Sequence, residues 1–293
     1  DRAVMQSAYM VSEPGLRQVL NGHPSAESEG VRIAEAIGAG NLARLREMSA
    51  GEITRKSTAA GFQTYFTVDG KIVPAQITNV FDQGAQARVP VLAGFNSGEI
   101  RSLRMLLPPA PSGKEEYPSE RIEQSMLETT RDALYGWTTQ RIAEKQEAVG
   151  SPAFVYLFDH GYPAADKAGL HAFHGAELPY MFGTIERTAA NWPRIPRDRK
   201  ERALSDAMVD YWTSFARSGE PSSDGNPKWP AFGQSENWMV FDERPHVIED
   251  VMSYRYDLVE HVVCRRRAAG DQQWNWNAGL ASPVLPPPVD QCR

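Results

Sequence analysis

One short stretch concentrates the residue types that proton transfer needs. His171-Ala-Phe-His174-Gly-Ala-Glu177-Leu-Pro-Tyr-Met-Phe-Gly183 holds two histidines, a carboxylate, two glycines and a proline within thirteen residues. An imidazole titrates near neutrality, so it can take a proton from a hydroxyl and hand it to a leaving group. A carboxylate on its other nitrogen fixes the tautomer and stabilises the imidazolium. Glu99, just past the apolar run Val89-Pro-Val-Leu-Ala-Gly-Phe95, is a candidate for that carboxylate. A metal site is the other chemistry open to His171, His174 and Glu177. Their spacing is not H-E-x-x-H and no further ligand motif is near, so no metal is expected.

Two apolar runs must position these groups. Val89–Phe95 and Ala153-Phe-Val-Tyr-Leu-Phe-Asp159 read as buried parallel strands, each followed by a loop. Reactive groups of open α/β sheets gather at the carboxyl ends of strands, which would bring Glu99 and His174 to one crevice. Between residues 25 and 60 the period is helical, with Val31, Ala34 and Ile37 on one face and Leu42, Leu45 and Met48 on the next helix. Ser49 and Glu52 have capping-box spacing. Gly38-Ala-Gly40-Asn-Leu-Ala43 matches the dinucleotide fingerprint, but a helical segment precedes it, so a helix–turn–helix is expected. Tyr65–Val73 suggests a hairpin turning at Asp69-Gly70. Leu106–Pro118 reads as an exposed loop, and Ile122–Val149 as helix. A long amphipathic helix over 200–218 aligns Leu204, Met208, Tyr211, Trp212 and Phe215, and Gly219 stops it. Trp238–Phe241 suits one more strand near an edge, and little regular structure is expected beyond Cys264.

Composition narrows the class. The 293 residues are 41% hydrophobic and 23% charged, enough for one large α/β domain. A net charge of −6 without a basic stripe argues against nucleic-acid binding. No apolar run reaches eighteen residues, so no membrane span is expected. Cys264 and Cys292 match no zinc motif; they either pair, pinning the C-terminal tail, or stay as two thiols. The opening Asp1-Arg-Ala-Val-Met reads as the inside of a domain, which leaves the compartment unassigned.

A base of this kind serves a nucleophile. In α/β-hydrolases the chain order is nucleophile, acid, histidine, so the nucleophile should precede Glu99. No Gly-x-Ser-x-Gly occurs; the nearest match, Gly233-Gln-Ser235-Glu-Asn, comes after the histidine and lacks the second glycine.

Several motifs together resemble the C-terminal part of a type B carboxylesterase, the family of cholinesterases and para-nitrobenzyl esterases. Asp1-Arg-Ala-Val-Met-Gln-Ser7-Ala resembles the family's F-x-R-A-I-x-Q-S-G. Pro90-Val-Leu-Ala-Gly-Phe-Asn-Ser-Gly-Glu99 resembles the strand ending in G-x-N-x-D-E-G, and Phe173-His174-Gly-Ala-Glu177-Leu-Pro-Tyr-Met-Phe-Gly183 resembles x-H-G-x-E-L-x-Y-x-F-G. Met208–Pro221 and Trp229-Pro-Ala-Phe232 match further family signatures. The resemblance runs from residue 1 to about 260, so a catalytic-domain portion over 1–263 and a tail over 264–293 are expected. It departs at Gly98 and Ile100, which flank the acid, at Ala8, and in a short 101–117 segment.

The resemblance implies an α/β-hydrolase fold and hydrolysis of small-molecule carboxylic esters without a cofactor. It makes Glu99 the triad acid and His174 the base, with the serine and oxyanion loop ahead of Asp1. The chain alone would then be inactive, and the N-terminal portion of the same domain would be its partner. Glu177 is expected either beside the triad or merely at a helix start, where an acid suits the dipole. Ser7 is expected beside the triad or in a simple turn, and His171 at the pocket rim. The alternative reading is a non-catalytic binding or adhesion module on the same fold.

Overall fold

The computed structural model describes residues 1–10, 12–20, 22–63, 66–102, 128, 130–270 and 286–292. Its centre is a five-stranded sheet in sequence order: β1 (Ala3–Gln6), β2 (Val91–Asn96), β3 (Ala153–Phe158), β4 (Asn237–Phe241) and β5 (Pro245–Glu249). The first four are parallel and β5 returns antiparallel to β4. Every residue of β2 and β3 is buried, as unbroken apolar runs require when both faces of a parallel sheet are covered.

Strand alternation splits the core in two. Phe154, Tyr156 and Phe158 of β3 join Met239 and Phe241 of β4 on one face. The helix Arg199–Ser218 covers that face with Leu204, Met208, Tyr211, Trp212 and Phe215, all buried. Asp198 caps its start, and Gly219, at φ 85°, ends it in the left-handed conformation. Val155, Leu157, Trp238 and Val240 point to the opposite face. There they meet the helix Trp137–Ala148, continuous with a wide π-helical turn over Asp132–Gly136, and the final helix Ser253–Ala268. Gly136 is required where these two helices touch, because a Cβ there would run into the Tyr256 ring.

The helical stretch after residue 25 forms three helices, Ala26–Ala36, Leu42–Glu47 and Ala50–Ala59. Gly38 and Gly40 take positive φ in the turn between the first two, so this is a helix–turn–helix. The packing face differs from the expected one. Ile33 and Ile37 are buried, whereas Val31 and Leu42 are 59% and 60% exposed. Val31 lies two residues, about 200° of helix, from Ile33 and so faces solvent. Ser49 Oγ accepts from Glu52 N as a cap, but the Glu52 carboxylate pairs with Lys56 instead of closing a box.

Other expectations are corrected. The segment around Asp69-Gly70 is not a hairpin among the described residues. The Asp69 carboxylate accepts from the backbone N–H of Lys71, Ile72 and Val73, the groups a returning strand would have used. The expected loop over 106–118 and residues 122–127 and 129 of the expected helix lie outside the described residues. The final helix carries the chain past Cys264 to Ala268 without a break. The arginine run at its end is engaged: Arg265 donates to Pro286 O, Arg266 is buried, and Arg267 pairs with Asp82. Cys264 and Cys292 form a disulfide that fixes residues 286–292 against this helix. Among the described residues no helix is long and apolar enough to cross a membrane.

Candidate active site

Three neighbouring parallel strands deliver the polar groups to one end of the sheet. Register pairs Gln6 with Gly94, Gly94 with Tyr156, and Asn96 with Phe158, so the chain leaves β1, β2 and β3 on the same side. Ser7 comes directly after β1 at φ 51°, with its N–H bonded to Gly94 O. Glu99 comes after β2 in a tight turn in which Arg101 N bonds to Gly98 O. His174 comes after β3, beyond the loop that contains the short helix Pro163–Lys167.

Glu99 is 1% exposed and its two oxygens have different partners. Oε1 accepts from Ser7 Oγ at 2.6 Å and from the backbone N of Asn96 at 2.8 Å. Oε2 lies 2.5 Å from His174 Nδ1. An ionised carboxylate only accepts, so Nδ1 carries the proton and Nε2 of the neutral ring keeps its lone pair. The hydrogen bond to Glu99, with a smaller contribution from its charge, raises the His174 pKa above the ordinary histidine value, against the opposing effect of desolvation. The His174 side chain is 55% exposed while its partner is enclosed, so the ring is held from behind and open in front.

Glu177 forms a second layer. It is 2% exposed and accepts from Gln6 Nε2 at 3.0 Å and Asn96 Nδ2 at 2.5 Å. Desolvation raises its pKa. Asn96 Nδ2 also donates to Phe173 O, so this amide ties the end of β2 to both sides of His174. Glu177 sits at the N-cap of the one-turn helix Leu178–Met181 without a side-chain cap bond; its carboxylate bonds to Gln6 and Asn96. Within that turn Tyr180 packs in the core, whereas Leu178 and the neighbouring Phe182 are exposed.

Gly98, a departure from the resembled pattern, has a steric reason. A Cβ there would lie 2.7 Å from Leu170 O and 2.8 Å from Ala172 O. Without one, Gly98 N donates to Ala172 O and the acid's loop runs against the histidine segment. Ile100, the other departure, is buried in the core.

The structure brings together Ser7, Glu99, His174 and Glu177. His171 lies apart, bound to Asp159 and Asp166. Ser235 is exposed in the turn that enters β4, at the opposite end of the sheet. Among the described residues no cluster of His, Cys, Asp and Glu could hold a metal ion. Tyr135 was not anticipated as part of the site. Its ring lies 6.2 Å from the His174 imidazole, tilted by 33°, and it is carried by the π-helical turn. Nothing in the period of that helix marks the turn. Asn96 and Gln6 lie within motifs that resemble the family's, but no spacing rule shows that their amides reach Glu177.

A mostly parallel sheet with helices on both faces and an acid–histidine pair at the strand ends defines an α/β-hydrolase. The solved carboxylesterase EST55 of Geobacillus stearothermophilus superposes with a TM-score of 0.67 at 23% identity, over 87% of this chain and 57% of that one. A solved PNB esterase gives 0.65 at 19%, over 88% and 57%. The chain belongs to the carboxylesterase family, whose family model matches residues 112–258. Human carboxylesterase 3 is 23% identical over 290 residues, covering 83% of this chain and 50% of that protein. The pyrethroid hydrolase Ces2e of Rattus norvegicus is 27% identical over 218 residues, covering 61% and 37%. The chain thus spans half or less of the length of these curated relatives.

Proposed function

We propose that this chain supplies the acid and the base of a serine esterase that hydrolyses small-molecule carboxylic esters. The observation that carries this reading is the Glu99–His174 hydrogen bond, closed behind by Ser7 and open in front. His174 Nε2 takes the proton of a serine hydroxyl as it attacks the ester carbonyl. The imidazolium, steadied by Glu99, returns that proton to the departing alkoxide, leaving an acyl-enzyme. His174 then deprotonates water, which attacks the acyl group, and the proton passes to serine as it leaves. Neither half of the cycle needs a cofactor.

The serine and the oxyanion donors are assigned to a part of the domain outside this chain. The absence of Gly-x-Ser-x-Gly from the sequence and the partial coverage of the relatives support that assignment. Among the described residues β1 has a strand neighbour on one side only, which leaves its other edge for a strand bearing the nucleophile. On this reading the 293-residue chain alone neither hydrolyses p-nitrophenyl esters nor reacts with a fluorophosphonate probe. Labelling at a serine within it would overturn the assignment. In the catalytically competent protein, His174→Ala should lower kcat by about 10³-fold or more, and turnover near wild type would reject the base role.

A further inference from the structure

His171 stands three residues before the proposed base, yet its ring bonds to two other carboxylates. Nδ1 lies 2.8 Å from Asp166 Oδ1 in the helix Pro163–Lys167, and Nε2 lies 3.1 Å from Asp159 Oδ1, just past β3. Gly161 leaves room for the ring; a Cβ there would run into Nδ1. The His171 backbone is left-handed at φ 49°, a conformation uncommon for a residue with a side chain.

A neutral imidazole has one N–H, whereas two carboxylates ask for two donors. Both contacts are hydrogen bonds only when the ring is an imidazolium. The charged groups facing this arrangement are Asp159 and Asp166 around the ring, and Arg131, from the helix packed beside Asp159. The hydrogen bond with Asp159 is the largest influence and raises the His171 pKa; desolvation opposes it, and the bond with Asp166 adds to the rise.

The three residues after His171 connect it to the site. Ala172 O accepts from Gly98 N at 2.9 Å, and Phe173 O accepts from Asn96 Nδ2 at 2.8 Å. Two successive carbonyls therefore hold the turn that presents Glu99, and the third residue is His174. The His171 ring anchors the root of this segment to β3 and to the helix Pro163–Lys167.

We infer that His171, held as a cation between Asp159 and Asp166, is a positioning residue for the Glu99–His174 pair, and that the pair loses its alignment when His171 loses its charge. The inference rests on the reading of His174 as the base and deepens it by adding a pH-dependent support to the alkaline side.

The first test reads ring ¹⁵N and Cε1–H NMR signals of the 293-residue chain as pH rises. His171 is expected to hold protons on both nitrogens beyond the ordinary value of about 6.5. The low-field Nδ1 proton of His174 should shift or broaden where His171 titrates. A His171 that titrates at or below the ordinary value, or a His174 proton indifferent to it, overturns the inference. The second test compares pH profiles of kcat/KM in the competent protein. His171→Asn keeps a residue that tolerates φ > 0 but removes the cation. It should lose roughly tenfold to a hundredfold at neutral pH, mostly in kcat, and have no further alkaline fall of this origin. His171→Lys keeps the cation and should retain more activity than His171→Asn, with the alkaline fall moved upward. Profiles of both variants that superimpose on wild type overturn the inference. His174→Ala tests the base reading separately, and the NMR titration reads alignment whether or not that reading holds.

Discussion

Ser7 Oγ and His174 Nδ1 bind opposite oxygens of the Glu99 carboxylate, so the serine hydroxyl fixes the face that the histidine leaves unused. Ser7→Ala removes a donor to a buried charge, a contact of about 1.5–3 kcal/mol. Asn96 N remains on the same oxygen, so the loss should fall at the lower end. Urea unfolding of the variant should show that decrease with an unchanged m-value. Unaltered stability would mean that the hydroxyl is dispensable.

The raised pKa of His174 has a kinetic consequence. On the proposed role His174 works as the neutral ring, so kcat/KM of the competent protein should rise with pH through a value above the ordinary one of about 6.5. Glu99→Gln removes the carboxylate that favours the imidazolium. The acid limb of the profile should move to lower pH while kcat falls by about 10²-fold or more. An acid limb that stays in place would show that Glu99 does not set it. The same pKa has a stability consequence of opposite sense. A folded value above the unfolded one gives stability that is present below about 6.5 and lost as pH rises through the folded value.

Glu177 is a buried acid with a raised pKa, so it also favours folding most when protonated. Its contribution should be fully present below an unfolded value of about 4.3 and fade as pH climbs through the higher folded value. Glu177→Gln should abolish that part of the pH dependence. Its single amide oxygen can serve only one of Gln6 and Asn96, so where the wild-type carboxylate is ionised the variant leaves one donor unpaired, a loss of about 1–3 kcal/mol. Chemical denaturation at pH values on both sides of that window checks both parts.

Gly98→Ala should act on catalysis as well as on folding. The new Cβ would press on Leu170 O and Ala172 O, both backbone atoms, and wedge the acid's turn from the histidine segment. Overpacking of this kind costs about 1–3 kcal/mol. Turnover of the competent protein should fall roughly tenfold to a hundredfold, since the proposed acid and base sit on the parted loops. A fall in stability with full turnover would place the strain elsewhere.

Reduction of Cys264–Cys292, 28 residues apart, should lower thermal stability by the equivalent of about 3–4 kcal/mol on the chain-entropy view. Calorimetry with and without dithiothreitol measures this. The tail should become protease-sensitive first, because the disulfide is its covalent tie to the helix and hydrogen bonds such as His261 to Cys292 O and Arg265 to Pro286 O would hold it alone.

The sheet's centre was legible because β2 and β3 are unbroken apolar runs, and the long helix because one stripe of Leu204, Met208, Tyr211, Trp212 and Phe215 faces the core. β5 was not, since Pro245-His-Val-Ile-Glu249 has a half-exposed edge and only two β-branched residues. The final helix escaped for a different reason. Its buried positions, Ser253, Tyr256, Val263 and Arg266, mix polar with apolar, while Tyr254 and Leu258 are exposed. Its hold comes from ion pairs and the disulfide rather than an apolar stripe. At the site, Glu99 and His174 were proposed from chain order, strand ends and the motifs that resemble the family's. Ser7 and Glu177 were left open between a local role and a role beside the dyad, and only long-range contacts separate the two. Tyr135 was out of reach, because its position depends on a turn wider than the α-helical one.

That turn sets Tyr135 by counting residues. A π-turn accommodates one residue more than the α-helical ladder would, so the two arms of this helix are out of phase by one position. Each residue of an α-helix advances the side chains by about 100°. Deleting one residue from Asp132–Gly136 would let the ladder close, leave Trp137 and Arg141 seated, and swing the aromatic ring off the imidazole. Here the length of the chain, rather than the identity of any side chain, decides what lies against His174.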